Sequence, residues 1–193
     1  MLETLMKMDV NLFLGIHHCR NGFFDFIAPW LSSRWIWIPL YVWFAVVLIR
    51  TYRNYGWVLI ASCVVMILVS DQGANLFKNN VQRPRPCQNP ELLATNSVVT
   101  PEGCGGPYGF FSGHAANSFA IALLMFLLVK RKKQDGWRPW LWLFFWALAI
   151  CWSRVYLGVH YPGDVLCGAV YGLIVGTATY FLLTKLYLEK KNA

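Results

Sequence analysis

Apolar residues occur along this chain in long blocks separated by short polar and basic intervals. Five blocks stand out, at residues 35–49, 56–76, 112–129, 140–156 and 165–186. Most approach the ~20 residues a helix needs to cross a bilayer, and the first and third borrow flanking residues. The pattern predicts an all-α fold, an integral-membrane helical bundle of five to six transmembrane helices. Two shorter apolar stretches, 10–16 and 23–30, precede them and are interrupted by His17, His18, Arg20 and Asn21. They read as interfacial or re-entrant helices, with a complete sixth span as the alternative. Adjacent histidines point in different directions on a helix, so His17 and His18 fit an interfacial role better than a metal pair. In the last block Gly168, Gly172 and Gly176 recur every fourth residue. Small residues so spaced let another helix approach closely, which makes them packing positions rather than chemistry.

Composition agrees with the blocks. Of 193 residues, 57% are hydrophobic and 13% charged, against about 25% charged in soluble domains; mean hydropathy is +0.43. The length suits a single membrane domain over 1–193, with no second domain. The net charge of +8 comes without an aromatic-basic groove pattern, which argues against nucleic acid as a partner. The N-terminus mixes Glu3 and Asp9 with Lys7 and shows no cleavable signal peptide. Basic residues cluster after the first, third and fifth blocks: Arg50 and Arg53; Lys130, Arg131, Lys132, Lys133 and Arg138; Lys185, Lys190 and Lys191. The excess of Lys and Arg in cytoplasmic loops places all three inside. The 79–108 loop, the start of the third block and the turn between the fourth and fifth then face the periplasm or cell exterior of a bacterial inner membrane. Cys63, Cys151 and Cys167 sit in apolar runs and pack there. Cys87 and Cys104 bracket the polar loop on the oxidising side, where a disulfide is expected; two free thiols are the alternative.

The remaining polar residues gather on that same side. Asp71, Lys78, Arg83 and Arg85 lie at or beyond the end of the second block. Ser112, Gly113 and His114 open the third, and Arg154, His160 and Asp164 lie between the fourth and fifth. Ionisable groups at a membrane are costly and mark function by default. Lys78, Arg85 and Arg154 can neutralise a phosphate, the arginines bidentately. Ser112-Gly113-His114 begins a helix, where backbone N–H groups and the positive dipole end meet an anion. Two histidines can divide nucleophilic attack from protonation of a leaving oxygen. His160 and Asp164 are four residues apart around Pro162-Gly163, a spacing at which a carboxylate orients an imidazole.

Three segments carry a resemblance. Residues 78–86 read KNNVQRPRP, which is Lys78, six residues, then Arg85-Pro86. Residues 111–114 read FSGH, and residues 153–164 read SRVYLGVHYPGD, with Ser153, Arg154, His160 and Asp164. In order and spacing this resembles the type 2 phosphatidic acid phosphatase family, integral-membrane lipid phosphatases related to vanadium haloperoxidases. The resemblance implies that His160 is the nucleophile, forming a phosphohistidine, that Asp164 holds and charges it, and that His114 is the general acid. It implies that Lys78, Arg85, Ser112, Gly113 and Arg154 hold the phosphoryl oxygens, with no metal or other cofactor. Phe111 departs from the family's proline before Ser112, which bears on the pose of Ser112 but removes no catalytic group. Arg83 lacks the family spacing from Lys78 and reads as a surface or headgroup contact. The partners implied are the bilayer and a membrane lipid phosphate. Small size and an outward site favour undecaprenyl diphosphate, ahead of lipid A phosphate, phosphatidylglycerol phosphate and phosphatidic acid. Intramembrane charge also marks transport paths, so a lipid transporter or flippase is the reading from another class.

Overall fold

The computed structural model describes residues 2–100, 103–132 and 136–188; Lys133, Lys190 and Lys191 of the basic clusters lie outside the described residues. Among the described residues eight α-helices carry the fold: α1 Leu2–His17, α2 Gly22–Ser32, α3 Ile38–Tyr52, α4 Gly56–Val81, α5 Pro90–Ala94, α6 Gly113–Lys132, α7 Trp142–Tyr156 and α8 Pro162–Leu183. Among the described residues there is no strand, and the one isolated bridge pairs Pro84 with Tyr108.

Among the described residues three helical runs, Ile38–Val81, Gly113–Lys132 and Pro162–Leu188, are long and apolar enough to cross a membrane. The first is a hairpin: Arg53 turns the chain at φ 43° and α3 packs back along α4. The five blocks thus correspond to α3, α4, α6, α7 and α8. By length the count is lower, because α3 and α7 have 15 residues each and rise only about 22 Å. The outer faces of α4 and α8 expose Val64, Val65 and Leu68, and Leu166, Val170 and Ile174. Apolar patches of that extent suit lipid rather than water.

Helix α6 is the central element. It buries Ala115, Ala116, Ala120, Ile121, Ala122, Leu124, Met125 and Leu128, and packs against α4, α7 and above all α8. The α6–α8 approach explains the glycine repeat. A Cβ on Gly168, Gly172 or Gly176 would run into the backbone carbonyl of Ser112, Ala116 or Ala120 respectively. Close backbone packing of small residues is how membrane helices gain contact when no water is expelled. Helix α3 runs antiparallel to α7, with Trp37 edge-on to Trp146 and Trp43 stacked on Trp140.

Helix α1 lies across one end of the bundle. Its Asp9 bonds to Gly163 and its His17 to Tyr156. These residues stand about 12 Å apart along α1, yet both meet the same end. His17 is not an interfacial side chain. It is buried, its Nδ1–H donates to the Tyr156 carbonyl at 2.7 Å, and its Nε2 accepts from Val99 N–H at 2.9 Å. Both nitrogens are thereby committed to the neutral ring, and burial holds the His17 pKa below its usual value. At the opposite end Arg53, Arg131, Lys132, Tyr52 and Tyr187 line a shallow cavity.

Candidate active site

The polar groups singled out from sequence converge at the end that α1 covers. A cleft of about 570 Å³ is lined there by Lys78 from α4, Arg85 from the loop after it, Gly113 and His114 from the start of α6, Arg154 from α7 and His160 from the turn before α8. Its floor is apolar, with Trp37, Tyr41, Ile67, Ile121 and Ile150. Three segments distant in sequence therefore deliver Lys78, Arg85, Arg154 and two imidazoles to one place.

Each group is set by local structure. His160 follows α7 after the Leu157-Gly158 turn and is 2% exposed. Its Nδ1 lies 3.6 Å from Oδ2 of Asp164, which is fully buried. The same Oδ2 accepts the Tyr161 N–H at 3.0 Å, so Asp164 also caps α8. Burial pushes the His160 pKa down to about 4; Asp164 opposes the shift and Arg154 adds to it. The imidazole is therefore neutral at physiological pH. With Nδ1–H turned to the carboxylate, Nε2 is the nitrogen left to act.

Ser112 is fully buried and does not line the cleft. Its hydroxyl accepts the Ala115 N–H at 3.4 Å, capping α6, and its N–H donates to the Asp164 carbonyl at 3.0 Å. Phe111 is buried against Phe77 and Tyr171, and the bond to the Asp164 carbonyl ties Ser112 to the start of α8. Arg85 donates from Nε to the Tyr108 carbonyl and from Nη1 to the Cys104 carbonyl, both at 3.1 Å. Burial lowers its pKa from the usual range. Cys87 and Cys104 form the expected disulfide, with Cα atoms 5.8 Å apart, and so hold the loop that Arg85 leans on. Arg154 bonds through Nη1 to the Ser32 hydroxyl.

Arg83 corrects the sequence reading. It is neither a surface nor a headgroup contact: Nη1 donates to Oδ1 of Asp164 and Nη2 to Oδ2 of Asp9, each at 2.7 Å, and the guanidinium lies 4.1 Å over the Tyr161 ring. Burial opposes its charge, but Asp164 and Asp9 outweigh burial and raise its pKa. Asp9 also accepts the Gly163 N–H at 2.7 Å, and a Cβ on Gly163 would come within 2.8 Å of Asp9 Oδ2. Sequence reasoning passed over Asp9 as an N-terminal acid. Its one signal was an acidic residue amid an apolar stretch. Arg34, in the link between α2 and α3, was missed as well; it lines the cleft beside His114.

The PAP2 superfamily matches residues 54–187, a stretch that contains every cleft residue delivered by α4, α6, α7 and the turn before α8. The chain is 34% identical to a lipid A 4'-phosphatase of Bacteroides thetaiotaomicron over 96% of this chain and 81% of that one. It is 27% identical to an undecaprenyl-diphosphatase of Sulfolobus acidocaldarius, over 88% and 76%. Its fold is similar to the crystal structure of a transmembrane PAP2-type phosphatidylglycerolphosphate phosphatase from Bacillus subtilis, with a TM-score of 0.75 at 17% identity, covering 95% of this chain and 88% of that one.

Proposed function

Because the chain belongs to the PAP2 superfamily, and is with it an integral-membrane phosphoric ester hydrolase, we propose that it removes a phosphate monoester from the sugar headgroup of a lipid A-type glycolipid through a phosphohistidine. The observation that carries the phosphatase reading is the convergence of His114, His160, Lys78, Arg85 and Arg154 on one cleft.

Nε2 of His160 attacks phosphorus as the P–O bond to the lipid breaks, and His114 delivers a proton to the departing oxygen. Water then attacks the phosphohistidine, His114 takes the proton of that water, and inorganic phosphate leaves with His160 restored. Lys78, Arg85, Arg154 and the Gly113 N–H at the start of α6 hold the phosphoryl oxygens, and their fixed charge stabilises the transition state. Ser112 supports this set from behind as the cap of α6 rather than as a direct contact. Asp164 fixes the His160 tautomer; the 3.6 Å separation is of the kind that tightens when substrate binds.

The substrate assignment shifts from the sequence expectation. The sequence favours undecaprenyl diphosphate on small size and an outward site. The 34% likeness to a lipid A 4'-phosphatase spans nearly the whole chain and exceeds the 27% likeness to an undecaprenyl-diphosphatase. For topology, α3, α4, α6, α7 and α8 are taken as five crossings, with α2 lengthening the path of α3 and α1 lying across the site end. Arg53, Arg131 and Lys132 gather at the opposite end, which supports a cytoplasmic location for that end and a periplasmic or external site.

The test is phosphate release by the purified chain from a panel of lipid A 4'-phosphate, undecaprenyl diphosphate, phosphatidylglycerol phosphate and phosphatidic acid, compared by kcat/KM. Lipid A 4'-phosphate should lead. A higher value for undecaprenyl diphosphate would return the assignment to polyprenyl recycling.

A further inference from the structure

We propose that Asp71 and Asn117 form a second subsite beside the phosphoryl site, one that reads a hydrogen-bond donor on the sugar next to the scissile phosphate. The proposal rests on the glycolipid reading above and names residues that the phosphatase chemistry does not use.

Helix α4 carries a polar stripe toward its site end. Asp71, Asn75 and Lys78 stand at i, i+4 and i+7, so they share a face, and all three line the cleft. Lys78 belongs to the phosphoryl end; Asp71 is two turns away, about 10 Å along the helix. Across from it α6 presents His114 and, one turn on, Asn117, which line the same cleft. Asn117 Nδ2 donates to Asp71 Oδ1 at 2.7 Å. Asn117 Oδ1 is buried with no hydrogen-bond partner among the described residues. Among the described residues Asp71 makes no close ion pair, though its charge is felt by Lys78 two turns on.

A carboxylate here is costly twice over. It sits in a helix long and apolar enough to span a membrane, where ionisable groups are expensive, and its charge opposes the phosphate held nearby. Among the described residues its one hydrogen bond engages a single oxygen. A carboxylate accepts and never donates, and the Asn117 carbonyl oxygen is likewise an acceptor. Together they offer acceptors, a short distance from a site built of donors. The headgroup that fits carries phosphate on one side and hydroxyl or acylamino N–H groups on the other. An acylated aminosugar phosphate has both. Polyprenyl diphosphate and phosphatidic acid have no donor beyond the phosphate itself, and would leave both acceptors desolvated and unmatched.

Full-length wild type, Asp71→Asn, Asp71→Ala and Asn117→Ala are compared in detergent by kcat/KM on lipid A 4'-phosphate, phosphatidic acid and undecaprenyl diphosphate. Loss of one charged hydrogen bond should cut the glycolipid value by roughly 10- to 100-fold. Phosphatidic acid turnover should change by less than about threefold, or rise as the repulsion is removed. Its persistence shows that the variants fold. Asp71→Asn should fall between wild type and Asp71→Ala on the glycolipid. An equal loss on all three lipids, or none on any, overturns the subsite while leaving the glycolipid reading intact. A wild type that prefers undecaprenyl diphosphate overturns the glycolipid reading and the subsite with it.

Discussion

Arg83 Nη1 stands 2.7 Å from Asp164 Oδ1, while the other oxygen of that carboxylate faces His160 at 3.6 Å. His160, the proposed nucleophile, is therefore backed by a chain of three charged groups, Asp9, Arg83 and Asp164, that begins on the first helix. Removing one member of a buried pair leaves an uncompensated charge. Arg83→Ala should lower kcat on the order of 10²-fold, the effect of misplacing a reacting group by about an ångström, with KM little changed. Arg83→Lys keeps the charge but loses the fork that spans both carboxylates, so it should recover only part. Asp9→Asn should show a smaller loss of the same kind. Steady-state kinetics decides: a change confined to KM would place Arg83 on the substrate instead.

The disulfide should matter to catalysis as well as to stability, because the Cys104 carbonyl is a partner of Arg85. Cross-linking a loop of this length contributes about 3 kcal/mol in the chain-entropy view. Cys87→Ser should therefore lower Tm and raise KM for the lipid phosphate as Arg85 loses its seat. Non-reducing peptide mapping should recover Cys87 joined to Cys104. Unchanged KM in a well-folded variant would separate the loop from the site.

Acid should loosen the contact between α1 and the 97–100 segment. His17 uses Nδ1–H on Tyr156 and the bare Nε2 on Val99, and its folded-state pKa is depressed. The unfolded chain then takes up this proton first, so the contribution is present above an unfolded pKa of about 6.5 and is lost as pH falls below it. Protonation also puts a second donor against the Val99 N–H. The protection of the Val99 amide, taken relative to its intrinsic exchange rate at each pH, should fall between about pH 6.5 and 5, in a window set by that unfolded value. In His17→Gln that pH step should disappear.

Much of the site was legible in the sequence because its parts are local. Lys78 and Arg85, Ser112 to His114, and Arg154 with His160 and Asp164 each lie within one short segment, and membrane alternation brings the segments to one end. The glycine stripe on α8 was legible for the same reason: periodicity four on a helix defines one face, and α6 covers it. Asp9, His17 and Arg83 were not. Their partners lie 74 to 154 residues away, and no spacing rule links a residue on α1 to a turn before α8. Arg83 was misread because the spacing that marks Arg85 drew attention from its neighbour. Span counting was also approximate, since α3 and α7 are short helices whose flanking turns do part of the crossing.

Chelators should leave activity intact. Lys78, Arg85 and Arg154 supply the positive charge around the cleft, and among the described residues no three His, Cys, Asp or Glu side chains are placed to hold an ion. Phosphate release in excess EDTA should match the untreated rate. A preparation that dies in EDTA and revives only with magnesium or zinc would overturn fixed-cation catalysis.

His160 should be the residue that becomes phosphorylated. Attack on phosphorus needs a nucleophile that is unprotonated and aimed. Burial, which lowers the His160 pKa to about 4, meets the first need at neutral pH. Asp164, itself clamped by Arg83 and the Tyr161 N–H, meets the second. His114 enters the cleft from α6 rather than from the His160 turn, as a group that serves the leaving oxygen must. His160→Ala should lose on the order of 10⁴-fold or more in kcat, while lipid binding persists through Lys78, Arg85 and Arg154. His114→Ala should lose roughly 10²- to 10⁴-fold with a lipid alkoxide as leaving group, and far less with p-nitrophenyl phosphate, whose leaving group needs no proton. Rapid quench with labelled lipid phosphate should trap an acid-labile, base-stable phosphoenzyme, and it should accumulate in any variant that slows attack by water. Peptide mapping then assigns it. Label on a residue other than His160, or turnover by His160→Ala at the wild-type rate, would mean that the buried imidazole is only a spacer between α7 and α8.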